Sequence, residues 1–207
     1  MPDLLNQYKR PTGRRGRVVA ALMNKRHEAL TLWGLTHVNI EPDYMILDVG
    51  CGGGKAITRL AKRAVLGKVF GIDYSVDMVE YSQKVNKTLI AENRVKIREG
   101  SVEKTGFPDN FFDLVTAIET YYFWPRLPNA LQEIKRVLKP EGKLLLVNEM
   151  VKDGVYEVEH AEMIEKTQVC LFPLEEIRRN MQSVGFVNVQ IFTNDKSPWN
   201  AILAQKQ

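Results

Sequence analysis

The sequence predicts an α/β fold: a seven-stranded, mostly parallel sheet with helices on both faces, preceded by an N-terminal helical arm. Three observations predict it. Short apolar runs of strand length alternate with longer amphipathic stretches through most of the chain. A glycine cluster directly follows the first run after the arm. Glycine and proline stand at the ends of several amphipathic stretches, where helices begin and end.

Seven short apolar runs predict the seven strands. In chain order they are residues 44–50, 68–73, 94–99, 112–118, 143–150, 187–193 and 200–204. Apolar residues at helical spacing justify the helices between them. These are residues 18–33, 55–66, 76–91, 128–138, 155–171 and a last helix that starts near Pro173 and ends at Gly185. We place a boundary after residue 42, which divides the chain into a basic arm with its helix (1–42) and a main domain (43–207).

The composition excludes several classes of protein. The chain has 207 residues, of which 44% are hydrophobic and 26% charged, as in ordinary globular domains. No apolar run approaches the ~20 residues that cross a bilayer, and the N-terminus lacks the apolar stretch of a secretory signal. The two cysteines, Cys51 and Cys170, are too few for a disulfide scaffold. We expect a cytoplasmic protein without a membrane span, with Cys170 in the core.

Positive charge is concentrated at the N-terminus. The formal net charge is +4, but the first 26 residues alone carry +6, so the remaining 181 carry −2. A basic arm can bind the phosphates of nucleic acid. The main domain shows no basic face, so nucleic acid is the less favoured partner. A pocket for an anionic small substrate and a solvated segment beside an acidic region remain as alternatives.

The glycine cluster 47–54, Leu-Asp-Val-Gly-Cys-Gly-Gly-Gly, is the most informative motif. It joins a strand to a helix, and the free N–H groups of a helix N-terminus suit an anion. A P-loop does not fit, because Gly54-Lys55 lacks the earlier glycine and is followed by Ala56. A dinucleotide fingerprint from Gly50 fails at Lys55. A turn that binds the methionine end of S-adenosylmethionine is the third alternative.

Four blocks in this order resemble the class I S-adenosylmethionine-dependent methyltransferases. Residues 47–54 resemble the first motif of that family, and Asp73 follows at the end of the second predicted strand. Gly100-Ser-Val-Glu with Phe-Pro-Asp-Asn-Phe-Phe-Asp at 107–113, and residues 136–143, resemble its later blocks. The likeness is to the small-molecule, ubiquinone/menaquinone-biosynthesis-like type. It implies a Rossmann-like fold, S-adenosyl-L-methionine as methyl donor and S-adenosyl-L-homocysteine as product. Separately from the resemblance, we expect a monomer or homodimer.

The resemblance also assigns cofactor-binding residues. Asp73 would accept both ribose hydroxyls, and Asp48 would meet the ligand ammonium or brace the loop. The family usually has an acid at the position of Ser101, so the adenine contact is open between Ser101, Val102 and Glu103. The full set of candidate cofactor-binding residues is Asp48, Gly50, Cys51, Gly52, Asp73, Tyr74, Met78, Ser101, Val102, Glu103 and Ile118.

The stretch Glu119-Thr-Tyr-Tyr-Phe-Trp124 would lie beside the reacting methyl group in such a fold. Glu119 can bind the cofactor ammonium, bind a cationic substrate or act as general base, and Tyr122 is its candidate catalytic partner. Aromatic rings here can stack on a substrate, face the sulfonium or form a plain wall. The candidate substrate-binding residues are Tyr8, Arg14, Glu119, Tyr121, Trp124 and Glu149.

Three other expectations concern metal, the arm and the acceptor. The histidines at 27, 37 and 160 lack metal-ligand spacing, so we expect no metal. In this family such an arm often folds over the cofactor as a lid. The leading hypothesis is methyl transfer to a small molecule. The alternatives are transfer to RNA or protein through the arm, and a non-catalytic protein that binds the cofactor or a nucleotide.

Overall fold

The computed structural model describes residues 12–207, apart from the side chains of three arginines in the first helix, Arg14, Arg15 and Arg17. Seven strands form one sheet in the order β3-β2-β1-β4-β5-β7-β6. They are β1 Met45–Val49, β2 Lys68–Asp73, β3 Val95–Glu99, β4 Phe112–Ile118, β5 Leu138–Asn148, β6 Phe186–Thr193 and β7 Asn200–Lys206. Strands β1 to β5 pair in parallel, and β7 runs antiparallel to both of its neighbours. The predicted mostly parallel sheet is confirmed.

Helices cover both faces of this sheet. They are α1 Gly13–Arg26, α2 Glu28–Gly34, α3 Lys55–Arg63, α4 Val76–Val85, α5 Lys87–Ala91, α6 Leu127–Val137, α7 Tyr156–Glu159, α8 Ala161–Thr167 and α9 Leu174–Ser183, with 3₁₀ turns at Leu35–His37 and Tyr121–Phe123. Within residues 12–207, none is long and apolar enough to cross a membrane. The boundary after residue 42 stays a prediction.

Two hydrophobic layers hold the helices on the sheet. On one face, Leu131 and Ile134 of α6 and Ile177 of α9 pack in one cluster. On the other, Leu30 of α2 and Leu60 of α3 pack in a second cluster. The central strands are buried from both sides, which explains why they are nearly continuous apolar runs in the sequence.

Three predicted helices have different boundaries, each for a local reason. The helix over 18–33 divides at His27, and that over 76–91 divides at Asn86, whose amide donates to the carbonyls of Gly54 and Ser82. The helix over 155–171 forms two short pieces and ends at Thr167, because Gln168 adopts a left-handed φ of 51°. Cys170 therefore lies outside a helix and is exposed, so its predicted core position is wrong.

Strand β5 also begins earlier than predicted. It starts at Leu138, which pairs with Phe112, and a register shift separates this pair from the regular pairing that begins at Lys143. Glu141 adopts a left-handed φ of 64° within this irregular section. The Pro-Glu-Gly sequence therefore lies inside the irregular start of a strand, whereas the sequence pattern predicted the end of a helix.

Candidate active site

A cavity of about 560 Å³ opens at the carboxyl ends of β1, β2 and β4. This is the point where the strand order changes direction, since β2 and β3 lie on one side of β1 while β4 and β5 lie on the other. Open parallel sheets bind ligands at such a point. Helix α1 contributes a further wall of this cavity.

The glycine loop after β1 forms the floor of the cavity. Gly50 and Gly52 have left-handed φ values of 69° and 46°, a conformation that favours glycine. A side chain at Gly50 would also lie 2.6 Å from the Thr120 methyl group. The N–H groups of Gly50 and Cys51 donate to the Ile72 carbonyl at 2.8 and 3.0 Å, which ties the loop to the end of β2. The loop is therefore a fixed turn with exposed backbone toward the ligand space.

Asp73 connects this loop to the next helix. Its Oδ2 accepts from the Gly52 N–H and its Oδ1 from the Ser75 N–H, both at 2.9 Å. Burial raises the pKa of Asp73, while these two hydrogen bonds act in the opposite direction. Each carboxylate oxygen can accept two hydrogen bonds, so Asp73 retains acceptor capacity toward the cavity that it lines.

Asp48 lies one layer deeper at the end of β1. It is 2% exposed, and its Oδ1 accepts from the Thr116 hydroxyl at 2.7 Å. Burial raises the pKa of Asp48 to about 7, and the nearby charge of Asp73 adds to that shift. Asp48 thus braces β1 against β4 through Thr116 while one edge of the residue faces the cavity.

The predicted cofactor-binding residues converge on this cavity with one exception. Those that line it are Asp48, Gly50, Cys51, Gly52, Asp73, Tyr74, Met78, Ser101, Val102 and Ile118. Glu103 is not among the described residues of the wall, and its carboxylate pairs with Arg126 at 3.2 Å. This position does not fit the adenine contact considered for Glu103. Ser101 and Val102 remain as the two candidates.

Glu119 lies on the far side of the cavity from Asp73, directly after β4. Its backbone is left-handed (φ 58°), and the residue is 6% exposed. Its Oε2 accepts from the Tyr122 hydroxyl at 2.9 Å, and its Oε1 accepts from the Glu149 N–H at 2.5 Å. Burial raises the pKa of Glu119 to about 8, with a second contribution from the charge of Glu149. Glu119 is therefore poised to exchange a proton near neutral pH.

His27, at the junction of α1 and α2, faces the same carboxylate. Its Nε2 lies 3.7 Å from Glu119 Oε2 and 3.8 Å from Glu149 Oε1. Burial lowers the pKa of His27 to about 4, and the charge of Arg26 adds to the shift. Arg26 also pairs with Glu149 at 2.9 Å. Spacing between histidines and cysteines does not indicate His27 as a site residue, because its partners Glu119 and Glu149 follow strands that are distant in sequence.

The aromatic residues after Glu119 divide between the cavity and the core. Tyr122, Phe123 and Trp124 line the cavity. Tyr121 is 1% exposed, packs in a core cluster and donates its hydroxyl to the Met150 carbonyl at 3.2 Å. The expectation that Tyr121 contacts a substrate therefore does not fit its position.

The three remaining substrate candidates are placed differently. Glu149 does not contribute to the described cavity wall, since its side chain turns to Arg26. Tyr8 lies outside the described residues. The backbone of Arg14 belongs to α1, but its side chain lies outside the described part. The roles of Tyr8 and Arg14 stay predictions.

Helix α1 lies against the glycine loop. The Asn24 amide donates to the Gly53 carbonyl at 3.0 Å, and Met23 and His27 line the cavity from the same helix and its end. A side chain at Gly53 would overlap Asn24, so the approach of helix and loop is close. The predicted helix of the arm is therefore positioned as one wall of the ligand space.

Comparisons with known proteins give sequence relatives. A family described as "Methyltransferase domain" matches residues 47–146. An uncharacterized methyltransferase of Bacillus subtilis, YcgJ, is 32% identical over 158 residues, which cover 76% of this chain and 61% of that protein. A demethylmenaquinone methyltransferase of Lactiplantibacillus plantarum is 36% identical over 113 residues, or 54% of this chain and 47% of that protein. The chain thus spans about half to three fifths of these two relatives.

Solved structures share the fold at low sequence identity. A putative methyltransferase of Haloferax volcanii, solved with its Trm112 methyltransferase activator, superposes with a TM-score of 0.83 at 18% identity and covers 99% of this chain and 98% of that one. A phosphoethanolamine N-methyltransferase of Haemonchus contortus, solved with S-adenosylhomocysteine, superposes with a TM-score of 0.76 at 18% identity. The match covers 86% of this chain and 52% of that one.

Proposed function

This chain belongs to the class I S-adenosylmethionine-dependent methyltransferases, and we propose that it transfers the methyl group of S-adenosyl-L-methionine to a small-molecule acceptor. One observation carries the proposal. A single cavity joins the glycine loop and Asp73 on one side to Glu119 and Tyr122 on the other. The first pair suits the cofactor, and the second offers proton transfer beside it.

The order of the strands supports one orientation of the cofactor. Asp73 would accept the ribose hydroxyls at the end of β2, with the adenine ring toward Ser101 and Val102 after β3. The methionine end would then lie on the glycine loop after β1. In this orientation the sulfonium methyl points toward the end of β4, where Glu119 and Tyr122 line the cavity.

The size of the cavity supports a small acceptor. Its volume of about 560 Å³ lies within the range of about 300–1,000 Å³ that is usual for small-molecule sites. Cofactor and acceptor must share this space under the α1 wall. A macromolecular acceptor would need a route for a protruding group past α1 and the 3₁₀ turn Tyr121–Phe123.

The proposed chemistry is an in-line displacement at the methyl carbon. The cofactor supplies the activated methyl group, and the protein aligns the nucleophile with the carbon–sulfur bond and excludes water. Such alignment can lower the barrier by about 7–11 kcal/mol in favourable cases. Glu119 is the candidate general base, and Tyr122, whose hydroxyl donates to Glu119 at 2.9 Å, is the candidate residue that orients it.

Thermal unfolding with four ligands in parallel tests the proposal. S-adenosylhomocysteine and S-adenosylmethionine at 100 times their dissociation constants should stabilise the protein by about 2.7 kcal/mol. For a chain of this size this corresponds to a rise in Tm of roughly 5–10 °C. NAD and ATP should have little effect. A larger shift with NAD or ATP would contradict the cofactor assignment. Conversion of S-adenosylmethionine to S-adenosylhomocysteine in the presence of a pool of small molecules, but not in the presence of RNA, would support the acceptor class.

A further inference from the structure

We propose that the acceptor is an amine, which enters the site as a cation and is methylated on its nitrogen. This inference rests on the proposed function and names the substrate class of the same cavity. A cluster of groups beside the end of β4 carries it: the carboxylates of Glu119 and Glu149, the imidazole of His27, and the aromatic rings that follow Glu119.

The first argument concerns charge. Glu119 is almost completely buried, and a carboxylate removed from water must be paired or carry a proton. Arg26 forms its ion pair with Glu149, at a position where the arginine side chain is 65% exposed. His27 faces Glu119 but is neutral at physiological pH, because burial lowers its pKa to about 4. An incoming ammonium ion would thus pair with a carboxylate that the fold keeps from water.

The second argument concerns hydrogen bonds. Each carboxylate oxygen accepts two, and each oxygen of Glu119 accepts one from the protein: Oε1 from the Glu149 N–H and Oε2 from the Tyr122 hydroxyl. The remaining acceptor capacity suits a ligand with several N–H donors. A primary ammonium offers three, whereas an alcohol offers one.

The third argument concerns the aromatic wall. Tyr122 and Phe123 meet edge to face with ring centroids 4.7 Å apart, and Trp124 lines the cavity beside them. The electron-rich face of an aromatic ring attracts a cation. A carboxylate with aromatic residues beside it therefore favours a positively charged group over a neutral or anionic one.

A metal ion is the competing occupant, since ligand atoms of His27, Glu119 and Glu149 lie within 4.8 Å of one another. Both Glu119 oxygens already accept hydrogen bonds, and Glu149 Oε1 accepts from Arg26. A divalent ion among these atoms would bring two positive charges beside Arg26, whereas an ammonium ion brings one. An ammonium ion adds donors and leaves the existing bonds intact.

The proposed reaction is balanced. The ammonium R–NH₃⁺ transfers one proton to the Glu119 carboxylate and becomes the amine R–NH₂. The nitrogen lone pair then attacks the methyl carbon, the N–C bond forms, and the C–S bond breaks with its electron pair moving to sulfur. The products are R–NH₂⁺–CH₃, S-adenosylhomocysteine and the proton on Glu119, which passes to solvent before the next turnover.

The protonation of Glu119 depends on every ionisable group that faces it. A bound cation favours the carboxylate form, whereas the charge of Glu149 favours the protonated form. These groups come from α1 and its end, the 3₁₀ turn, the end of β5 and α7. They are Arg26, His27, Tyr121, Tyr122, Glu149 and Tyr156.

Matched ligands of one shape test the inference. Benzylamine, benzyl alcohol and benzoate are titrated into the protein saturated with S-adenosylhomocysteine, and binding is measured by calorimetry. We expect benzylamine to bind about ten-fold more tightly than benzyl alcohol or more, as one charge-assisted hydrogen bond predicts. With S-adenosylmethionine, mass spectrometry should detect N-methylbenzylamine and no methyl ether.

Variants that replace a glutamate by glutamine test whether the preference for the amine arises at this site. Glu119→Gln should remove the preference for the amine and leave the affinity for S-adenosylhomocysteine within about two-fold, since the proposed orientation puts the ammonium of that ligand at the glycine loop. Glu149→Gln should reduce the preference partially. Glu162→Gln removes one charge from the exposed face of α8 and is the control. It should leave the preference for benzylamine over benzyl alcohol unchanged.

The outcomes separate this inference from the proposed function. If S-adenosylhomocysteine itself fails to bind, the proposed function fails and the inference falls with it. If it binds while benzylamine shows no preference over benzyl alcohol, only the inference is overturned. It is also overturned if Glu119→Gln weakens S-adenosylhomocysteine ten-fold, which would make Glu119 a cofactor ligand. Saturable Mn²⁺ binding that His27→Ala abolishes would identify a metal site and overturn it as well.

Discussion

At the residue scale, Asp73 shows how one side chain serves fold and ligand together. It holds the glycine loop through Gly52 and the start of α4 through Ser75. The carboxylate has enough acceptor positions for these two contacts and for the ribose hydroxyls that we expect it to bind. Substitutions at Asp73 therefore report on ligand binding only when folding is measured alongside.

Replacing Asp73 by alanine should weaken S-adenosylhomocysteine binding by about 2 kcal/mol or more, because a charged acceptor is lost. Calorimetry gives the dissociation constant, and thermal unfolding of the ligand-free protein gives the folding contribution. Asp195→Ala removes an exposed carboxylate from the turn between β6 and β7 and is the control. An unchanged dissociation constant in Asp73→Ala would disprove the ribose assignment.

Glu119 should leave a signature in the pH dependence of stability. Its pKa is raised from 4.5 to about 8 in the folded state, mainly by burial, so the folded chain holds this proton more strongly than the unfolded chain. The associated stability is present at low pH and is lost as pH rises toward 8. His27, with a lowered pKa, acts in the opposite direction but only below 6.5.

The measurement is chemical denaturation between pH 6.5 and 8. In this window Glu119 should lower the unfolding free energy by at most about 1.4 kcal/mol per pH unit, and Glu119→Gln should lack that slope. Asp48 contributes in the same direction up to its pKa of about 7 in both proteins, so the difference isolates Glu119. Parallel pH profiles for the two proteins would exclude a raised pKa.

At the element scale, the glycine loop is held from two sides. Asn86 interrupts the predicted long helix and donates to the Gly54 carbonyl from below. Asn24 of α1 donates to the Gly53 carbonyl from above. Both contacts come from residues distant in sequence. The loop conformation is thus a property of three elements acting together.

The contact between α1 and the loop should control ligand release. Asn24→Ala removes one hydrogen bond, typically about 0.5–1.5 kcal/mol, and should accelerate dissociation of S-adenosylhomocysteine by up to about ten-fold. Stopped-flow displacement measures the rate. Lys25→Ala alters the exposed neighbouring position and should leave the rate unchanged. Equal rates in wild type and Asn24→Ala would mean that α1 does not gate the cavity.

At the scale of the whole molecule, the residues that stabilise the centre of the sheet differ from those that line the ligand cavity. Strand β5 lies between β4 and β7 and is covered on both faces, so its side chains stabilise the fold without reaching the cavity. The ligand cavity is formed instead by residues at the strand ends and in the turns that follow them. Function can therefore change at the loops while the sheet persists.

Truncating Leu145, which is fully buried in β5, should lower the unfolding free energy by about 2–5 kcal/mol, because it leaves a cavity in the core. The affinity for S-adenosylhomocysteine should stay within about two-fold, since the side chain lies far from the ligand space. Leu66→Ala, at a position that is 80% exposed, is the control. A decrease in the unfolding free energy of less than about 1 kcal/mol for Leu145→Ala would contradict the central position of β5.

From the amino-acid sequence alone follow the alternation of strands and helices, the glycine loop and ten candidate cofactor residues that line the cavity. Local periodicity encodes the elements, and the carboxyl ends of parallel strands must meet at one edge, so residues such as Asp48 and Asp73 could be predicted to converge. Two β4-end residues, Glu119 and Tyr122, followed from the same rule.

Contacts between distant parts of the chain determine which side chains turn into the cavity and which charges they carry. Tyr121 and Tyr122 are adjacent and both buried, yet Tyr122 lines the cavity and Tyr121 does not, because successive residues of a tight turn point in different directions. His27 reaches Glu119 only because α1 and α2 fold across the ends of β4 and β5. The raised pKa of Glu119 follows from burial by those same distant elements, which spacing along the chain does not encode.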